Sequence, residues 1–204
     1  MDDLKLKKSA RTRRFIIEKA APIFNKKGYS GTSMHDLTEA TGLTKGGIYG
    51  NFENKDEIAA ASFEYNSKYI LDQIKARVLS RKTARDKLFA ITGFYRKYLY
   101  EPELSGGCPL LNTAVEADDM HPILREMVLR SLDYIRRSFI YIINEGIERG
   151  EFRENIDPDY YATVFLGLIE GGIMQMKIYN KARFLTDCLL QIERLVADLA
   201  NDYN

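Results

Sequence analysis

The chain has no tryptophan, two cysteines and five prolines in 204 residues. Two cysteines cannot build the disulfide framework that small secreted domains rely on, and so few prolines leave room for long uninterrupted helices. No apolar run approaches the 18 or more residues that a membrane-crossing helix needs, so no membrane partner is expected. The N-terminus, MDDLKLKKSARTRR, is basic but has no apolar stretch behind it and does not read as a secretory signal. A cytoplasmic location is the default expectation. The formal net charge of +1 does not by itself announce a nucleic-acid partner. What is present is ordinary for a globular protein, 45% hydrophobic and 29% charged residues, in a chain long enough for a sizeable core.

Charge is unevenly placed. Residues 1–60 hold 11 Lys and Arg against 8 Asp and Glu, a net of +3, which leaves −2 for the remainder. The excess is densest at Lys5, Lys7, Lys8, Arg11, Arg13 and Arg14, a basic arm that reads as a phosphate or minor-groove contact or as a solvated terminus. Behind it lies the stretch TSMHDLTEATGLTKGGIYGNFENK, residues 32–55. Thr32 and Ser33 are N-cap residues, and Asp36 stands three positions after Ser33, where a capping-box carboxylate belongs. Met34, Leu37 and Ala40 repeat at helical spacing, and Gly42 stops that helix. Thr44 caps a second helix carrying Ile48, Tyr49 and Phe52. Two short helices joined by a tight glycine-containing turn form a helix-turn-helix, whose second helix enters the DNA major groove. Lys45 and Lys55 are placed to neutralise phosphates, and the Thr44 hydroxyl can donate to one. Gly46, Gly47 and Gly50 each cost a helix about 1 kcal/mol relative to alanine, but leave bare backbone that can approach a phosphate or base edge.

These residues resemble the DNA-binding domain of the tetracycline-repressor (TetR) family of bacterial regulators. The resemblance runs in register through Gly28-Tyr29, Thr32, Leu37, Ala40 to Leu43, Thr44-Lys45-Gly46, Ile48-Tyr49, Phe52 and Lys55. Asn51 departs from it where a histidine is usual, and Gly50 where a bulkier residue is common. The resemblance implies DNA contacts from Thr32, Ser33, Thr44, Lys45, Gly46, Tyr49, Asn51 and Lys55. It also implies a homodimer on a double-stranded palindromic operator.

The remaining segments read as helices. Helix 1 is expected from about Ser9 to Lys27, ended by Gly28. Asn54 caps a fourth helix reaching about Leu79, and further helices are expected at about 83–100, 109–117, 122–150, 158–179 and 182–200. No strand pattern competes. The expected architecture is all-α with about nine helices: a three-helix DNA-binding domain over residues 1–54, then a larger helical effector-binding and dimerisation domain over 55–204.

In the second domain Tyr65, Tyr69, Phe94, Tyr95, Tyr98, Phe139 and Phe165 are inward-capable aromatics, with Tyr134 beside them. Asn112 and Glu116, one helical turn apart, are candidate polar contacts. The resemblance implies that these helices enclose a pocket for an effector, and aromatic walls suit an apolar or cationic molecule. For any single ring, plain core is the simpler assignment. Cys108, between Gly106-Gly107 and Pro109, sits at the start of a short helix, where the dipole lowers a thiol's pKa; it is either an electrophile sensor or a small residue filling a turn. Gly167 and Gly171, four apart, with Ile173, Leu189, Ile192 and Val196, are the expected dimer interface, unless those stripes close the monomer core. No cofactor motif is present. The competing classes are weaker: Asp118, Asp119 and His121 form the only metal-like grouping and lack a ligand motif, and a protein-binding adaptor has no use for phosphate-facing lysines at 45 and 55.

Overall fold

The computed structural model describes residues 2–98 and 106–200; the side chains at positions 2–8, 98 and 118–120 lie outside the described set. Nine α-helices are described: α1 Asp2–Gly31, α2 Met34–Thr41, α3 Lys45–Tyr49, α4 Lys55–Leu79, α5 Ala84–Tyr98, α6 Pro109–Met120, α7 Pro122–Glu148, α8 Pro158–Tyr179 and α9 Arg183–Asp198. No strand is present among the described residues; one isolated bridge pairs Phe152 with Ala200.

The chain forms two compact units. The first comprises residues 1–69 and 108–129, the second residues 70–107 and 130–204. Compaction therefore does not follow the order of the chain. The α6 helix and the first turns of α7 belong with the N-terminal helices, because α6 packs on α1.

In the first unit the core is Ile16, Ala20, Phe24, Leu37, Ile48, Phe52, Ile58 and Ala59, with Ile17, Ile23, Tyr29, Met34 and Leu43 packed against it. The α1 helix begins earlier than its apolar stripe indicates, and it carries a break at Gly28, whose φ of 73° and ψ of 176° are not helical. That is the stop expected there, followed by one further turn to Gly31. The α6 helix ends at Met120 rather than Ala117, with His121 as its C-cap. Asp118 and Asp119 therefore lie in its last turn. The α7 helix starts on the His121 carbonyl, which accepts from Arg125 N–H at 2.9 Å.

In the second unit α8 packs along α9, and α5 packs on α9. The Thr92 hydroxyl donates to Glu193 at 2.8 Å and Arg96 pairs with the same carboxylate at 2.6 Å. Asp157 caps α8 by accepting from the backbone N–H of Asp159 and Tyr160. Phe165, Ile169, Ile173, Leu185, Leu189, Ile192 and Val196 are all fully buried. Four residues expected at a dimer interface, Ile173, Leu189, Ile192 and Val196, are thus spent on the core of a single chain. Their stripes face inward because α8 and α9 pack along each other, with α5 on α9 and Phe139 of α7 on Phe165 of α8. Gly167 and Gly171 do face outward, where an added Cβ would meet nothing within 4 Å. The close approach of α8 to α9 falls one residue on, at Gly172, whose Cβ would lie 3.0–3.1 Å from Leu185 and Cys188.

Candidate nucleic-acid interface and effector pocket

Ser33 caps α2 through a complete capping box, accepting from the Asp36 backbone N–H while the Asp36 carboxylate accepts from the Ser33 N–H at 2.7 Å. Lys27, 2.6 Å away, and then the Ser33 bonds hold the Asp36 carboxyl well below the usual carboxylate range. Gly42, at φ 68°, closes α2, its N–H donating to the Thr38 carbonyl. Thr44 then caps α3 by accepting from the Gly47 N–H at 3.1 Å. The α3 helix is only five residues long, and Ile48 is its single buried side chain. Lys45, Gly46, Gly47, Tyr49 and Gly50 are exposed. An added Cβ at Gly46 or Gly47 would make only ordinary contacts. The fold does not require glycine at either position.

The turn after α3 is held by a clasp from α1. The Arg13 guanidinium donates to the Asn51 carbonyl at 2.7 Å, pairs with Glu57 at 2.6 Å and lies 4.0 Å from the centre of the Phe52 ring. The Glu53 backbone N–H and then Arg13 lower the Glu57 pKa. Arg13 is thus a fastener of the corner and not part of a free basic arm. Arg14 pairs with Glu18 on its own helix, and the side chains of Lys5, Lys7 and Lys8 lie outside the described residues.

Two of the expected DNA contacts are engaged within the fold. Thr32 is buried, and its hydroxyl donates to the Gly28 carbonyl at 2.6 Å, so it stabilises the turn before α2. Asn51 donates its amide to the Gly47 carbonyl at 2.9 Å and accepts from Ser9, which ties the end of α3 to α1. Ser33, Thr44, Lys45, Gly46 and Tyr49 are solvent-facing, and Lys55 is half-buried with its ammonium 4.2 Å from the centre of the Tyr29 ring.

Tyr29 was legible in the sequence only as part of a family pattern, yet it is a hub. Its hydroxyl donates to Asp56, and its ring meets the His121 ring edge-on at 3.9 Å. Its backbone N–H donates to the Glu116 carboxylate. Burial and then the Asp56 bond push its phenol up to about 12. The protonated phenol is the form the fold favours, so its contribution to stability is present below about pH 10 and is lost as pH rises toward 12. A tyrosinate absorbance titration should therefore show a late component near pH 12 that is absent from Tyr29→Phe. A Tyr29→Phe curve that matches the native one would refute the assignment.

Asn112, on α6, donates its amide to both the backbone carbonyl and the side-chain oxygen of Asn25, at 2.9 and 3.0 Å. With Glu116, it fastens α6 to α1, and both line a small cavity of the first unit with Asn25, Tyr29 and Phe63. Cys108 is buried at the N-terminus of α6 and makes no side-chain capping bond there. Among the described residues no group of three His, Cys, Asp or Glu is placed to hold a metal ion.

The second unit contains a pocket of about 340 Å³ between α4, α5, α7 and α8. Of the nine residues expected to line such a site, Tyr95 and Phe139 do. Phe94 packs on Tyr95 and Phe165 on Phe139, one ring behind the wall in each case. Tyr65, Tyr69, Cys108 and Asn112 belong to the first unit, and the Tyr98 side chain lies outside the described residues. Much of the wall is aliphatic, including Leu71, Ile74, Val78, Ile91, Ile142 and Ile169, and Lys75, Lys87, Tyr134, Arg137, Ser138 and Tyr141 complete it. Attention to aromatic residues alone passes over the aliphatic side chains, although the 3.6-residue spacing of Leu71, Ile74 and Val78 on α4 marks them as one face.

A capped two-helix corner, its second helix anchored by one isoleucine and otherwise bare, defines a helix-turn-helix DNA-binding protein. The family model for bacterial regulatory proteins of the tetR family matches residues 16–61, and that for the tetracyclin repressor-like C-terminal domain matches residues 84–190. The chain belongs to the TetR family of bacterial transcriptional regulators. The HTH-type transcriptional repressor DhaR of Mycobacterium sp. (strain GP1) is 28% identical over 166 residues, covering 81% of this chain and 82% of its own. A TetR-family regulator from Cytophaga hutchinsonii superposes with a TM-score of 0.87 at 40% identity, covering 95% of this chain and 96% of its own. One from Chloroflexus aurantiacus superposes with a TM-score of 0.90 at 35% identity, covering 95% and 98%. Among the described residues no helix is long and apolar enough to cross a membrane.

Proposed function

We propose that this regulator is a homodimeric, cytoplasmic repressor with no catalytic role. Residues 1–54 bind a palindromic DNA operator, and residues 55–204 carry the effector site and the dimer interface. The observation that carries the DNA-binding assignment is the outward face of α3. Lys45 and Tyr49 project from it beside Gly46 and Gly47, which the fold leaves free to be larger and which cost helix stability. Bare backbone at a position that does not need it is explained by the approach of an external partner. Lys45, Lys55 and Thr44 supply phosphate contacts, Tyr49 and the α3 backbone reach toward bases, and Arg13 and Asn51 hold the corner rigid from behind.

Dimerisation is supported by apolar residues that the single chain leaves uncovered on α8 and α9: Met174 is 50% exposed, Ile178 77% and Leu190 39%. Gly167 and Gly171 lie on the same outward side of α8, where small residues admit a close neighbour. A two-fold pair of recognition helices reads a palindrome with half-sites about one helical turn apart. The pocket of the second unit is the effector site. An effector releases DNA only to the extent that it binds the released conformation more tightly than the DNA-bound one.

Selection of random duplexes on the purified protein should enrich a palindrome, and Tyr49→Ala should abolish the enrichment. A folded dimer that enriches nothing, even after being refolded free of ligand, contradicts the DNA-binding assignment. Lys45→Ala and Lys55→Ala should each weaken binding to all sequences alike. Each should also reduce the slope of log K against log salt by about 1. An unchanged slope removes that lysine from the phosphate contacts.

A further inference from the structure

The pocket of the second unit has an asymmetric chemistry. Its floor is buried and apolar: Ile91, Tyr95, Phe139, Ile142 and Ile169 are each at most 6% exposed. Its open side carries Lys75, Arg137, Tyr134 and Tyr141, all exposed. Three cationic side chains and no carboxylate line it. One of the three, Lys87, is already neutralised: it pairs with Glu145, which also holds Arg149 at 2.7 Å. Lys75 and Arg137 have no carboxylate partner among the described residues. The neighbouring Arg136, by contrast, is paired with Asp159 at 2.8 Å. Two unpaired cations on the rim of an apolar cavity are complementary to a molecule with an apolar body and one anionic end. The planar fork of an arginine fits a carboxylate in a bidentate manner. The volume is near the lower end of the range for small-molecule sites, roughly 300–1,000 Å³.

Building on the effector-site reading above, we propose that the pocket takes an apolar carboxylic acid, its hydrocarbon body on the Ile91–Phe139–Ile169 floor and its carboxylate held by Arg137 and Lys75. A cationic ligand is disfavoured by the same two side chains, and a neutral one leaves them unused.

Titration calorimetry of the full-length dimer with octanoate, octanol and octylamine tests this. Octanoate should bind about tenfold more tightly than octanol, and octylamine more weakly than either. Arg137→Gln and Lys75→Gln, both at exposed positions where folding is not at stake, should remove the preference for the acid while leaving octanol unchanged. Equal binding of acid and alcohol, a preference for the amine, or no binding of any of the three overturns the proposal. The wider reading is judged separately with the neutral apolar dye N-phenyl-1-naphthylamine. Dye fluorescence that rises with native protein and not with Leu166→Trp, which fills the pocket, keeps the effector site even where the acid preference fails. No dye binding to the native protein removes both.

Discussion

Replacing Phe152 by alanine should cost about 3 to 5 kcal/mol, the usual range for truncating a fully buried aromatic side chain. Phe152 is 1% exposed, and its ring occupies the space above Gly146, where an added Cβ would collide with it and lie 2.8 Å from Ala84 Cβ. The chain reverses just before it. Gly150, at φ 71°, ends α7, and the backbone N–H groups of Glu151 and Phe152 both donate to the Gly146 carbonyl. Around this reversal the second unit is stapled. The Glu151 carboxylate accepts from Ala84 N–H at 2.7 Å at the start of α5, and Arg153 donates from its backbone to Leu199 and from its side chain to Asp198 at the end of α9. Three helix ends share one aromatic plug. Gly146→Leu should be as damaging as Phe152→Ala, because the added side chain and the ring claim the same space. Thermal unfolding at fixed protein concentration measures both; at about 2–4 °C per kcal/mol for a chain of this size, each variant should lose on the order of 10 °C. A loss of only a degree or two would show that the plug is not a keystone.

The second large effect is expected at Gly28. Its φ of 73° and ψ of 176° lie in a region open essentially to glycine alone, and occupying it with another residue costs about 1–3 kcal/mol. A side chain there would also strike the Glu116 carboxylate, which accepts the Tyr29 N–H. Losing that charge-assisted bond adds about 1.5–3 kcal/mol. Gly28→Val should therefore lose about 3 to 5 kcal/mol, the backbone term and the displaced bond together. A double-mutant cycle separates the two. In a Glu116→Ala background, Gly28→Ala should cost only the backbone term, so the two changes combine to less than their sum. Strict additivity would mean that the carboxylate and the glycine do not compete for one space.

Much of the architecture is legible in local signals. Ser33, Gly42, Thr44 and Asn54 each read as a cap or a stop, and each is one in the structure. Such signals act within four residues, so they survive without knowledge of the fold. What escapes is decided at longer range. A threonine at 32 is an N-cap and, by the resemblance, a DNA contact until the Gly28 carbonyl is seen to take its hydroxyl. An arginine at 13 reads as part of a basic arm until Glu57 and Phe52 converge on it from 39 to 44 residues away. The apolar stripes of α8 and α9 have the same period whether they close one chain or join two, and only the burial of Ile173, Leu189, Ile192 and Val196 decides between these. The pocket was foreseen as aromatic, whereas most of its wall is leucine, isoleucine and valine. Side chains that line a cavity and side chains that fill a core are chemically the same.

The first unit is assembled from two stretches of chain with 38 residues of the second unit between them. During synthesis the helix-turn-helix segment emerges first, but Asn112 and Glu116, which fasten α6 to Asn25 and Tyr29, follow more than 80 residues later. Until they arrive, the Tyr29 N–H and the Asn25 carbonyl lack the α6 partners they have in the finished unit. Completion of the N-terminal unit waits on the middle of the gene, and a fragment cut after Tyr69 is an unfinished object, not a portable DNA-binding module.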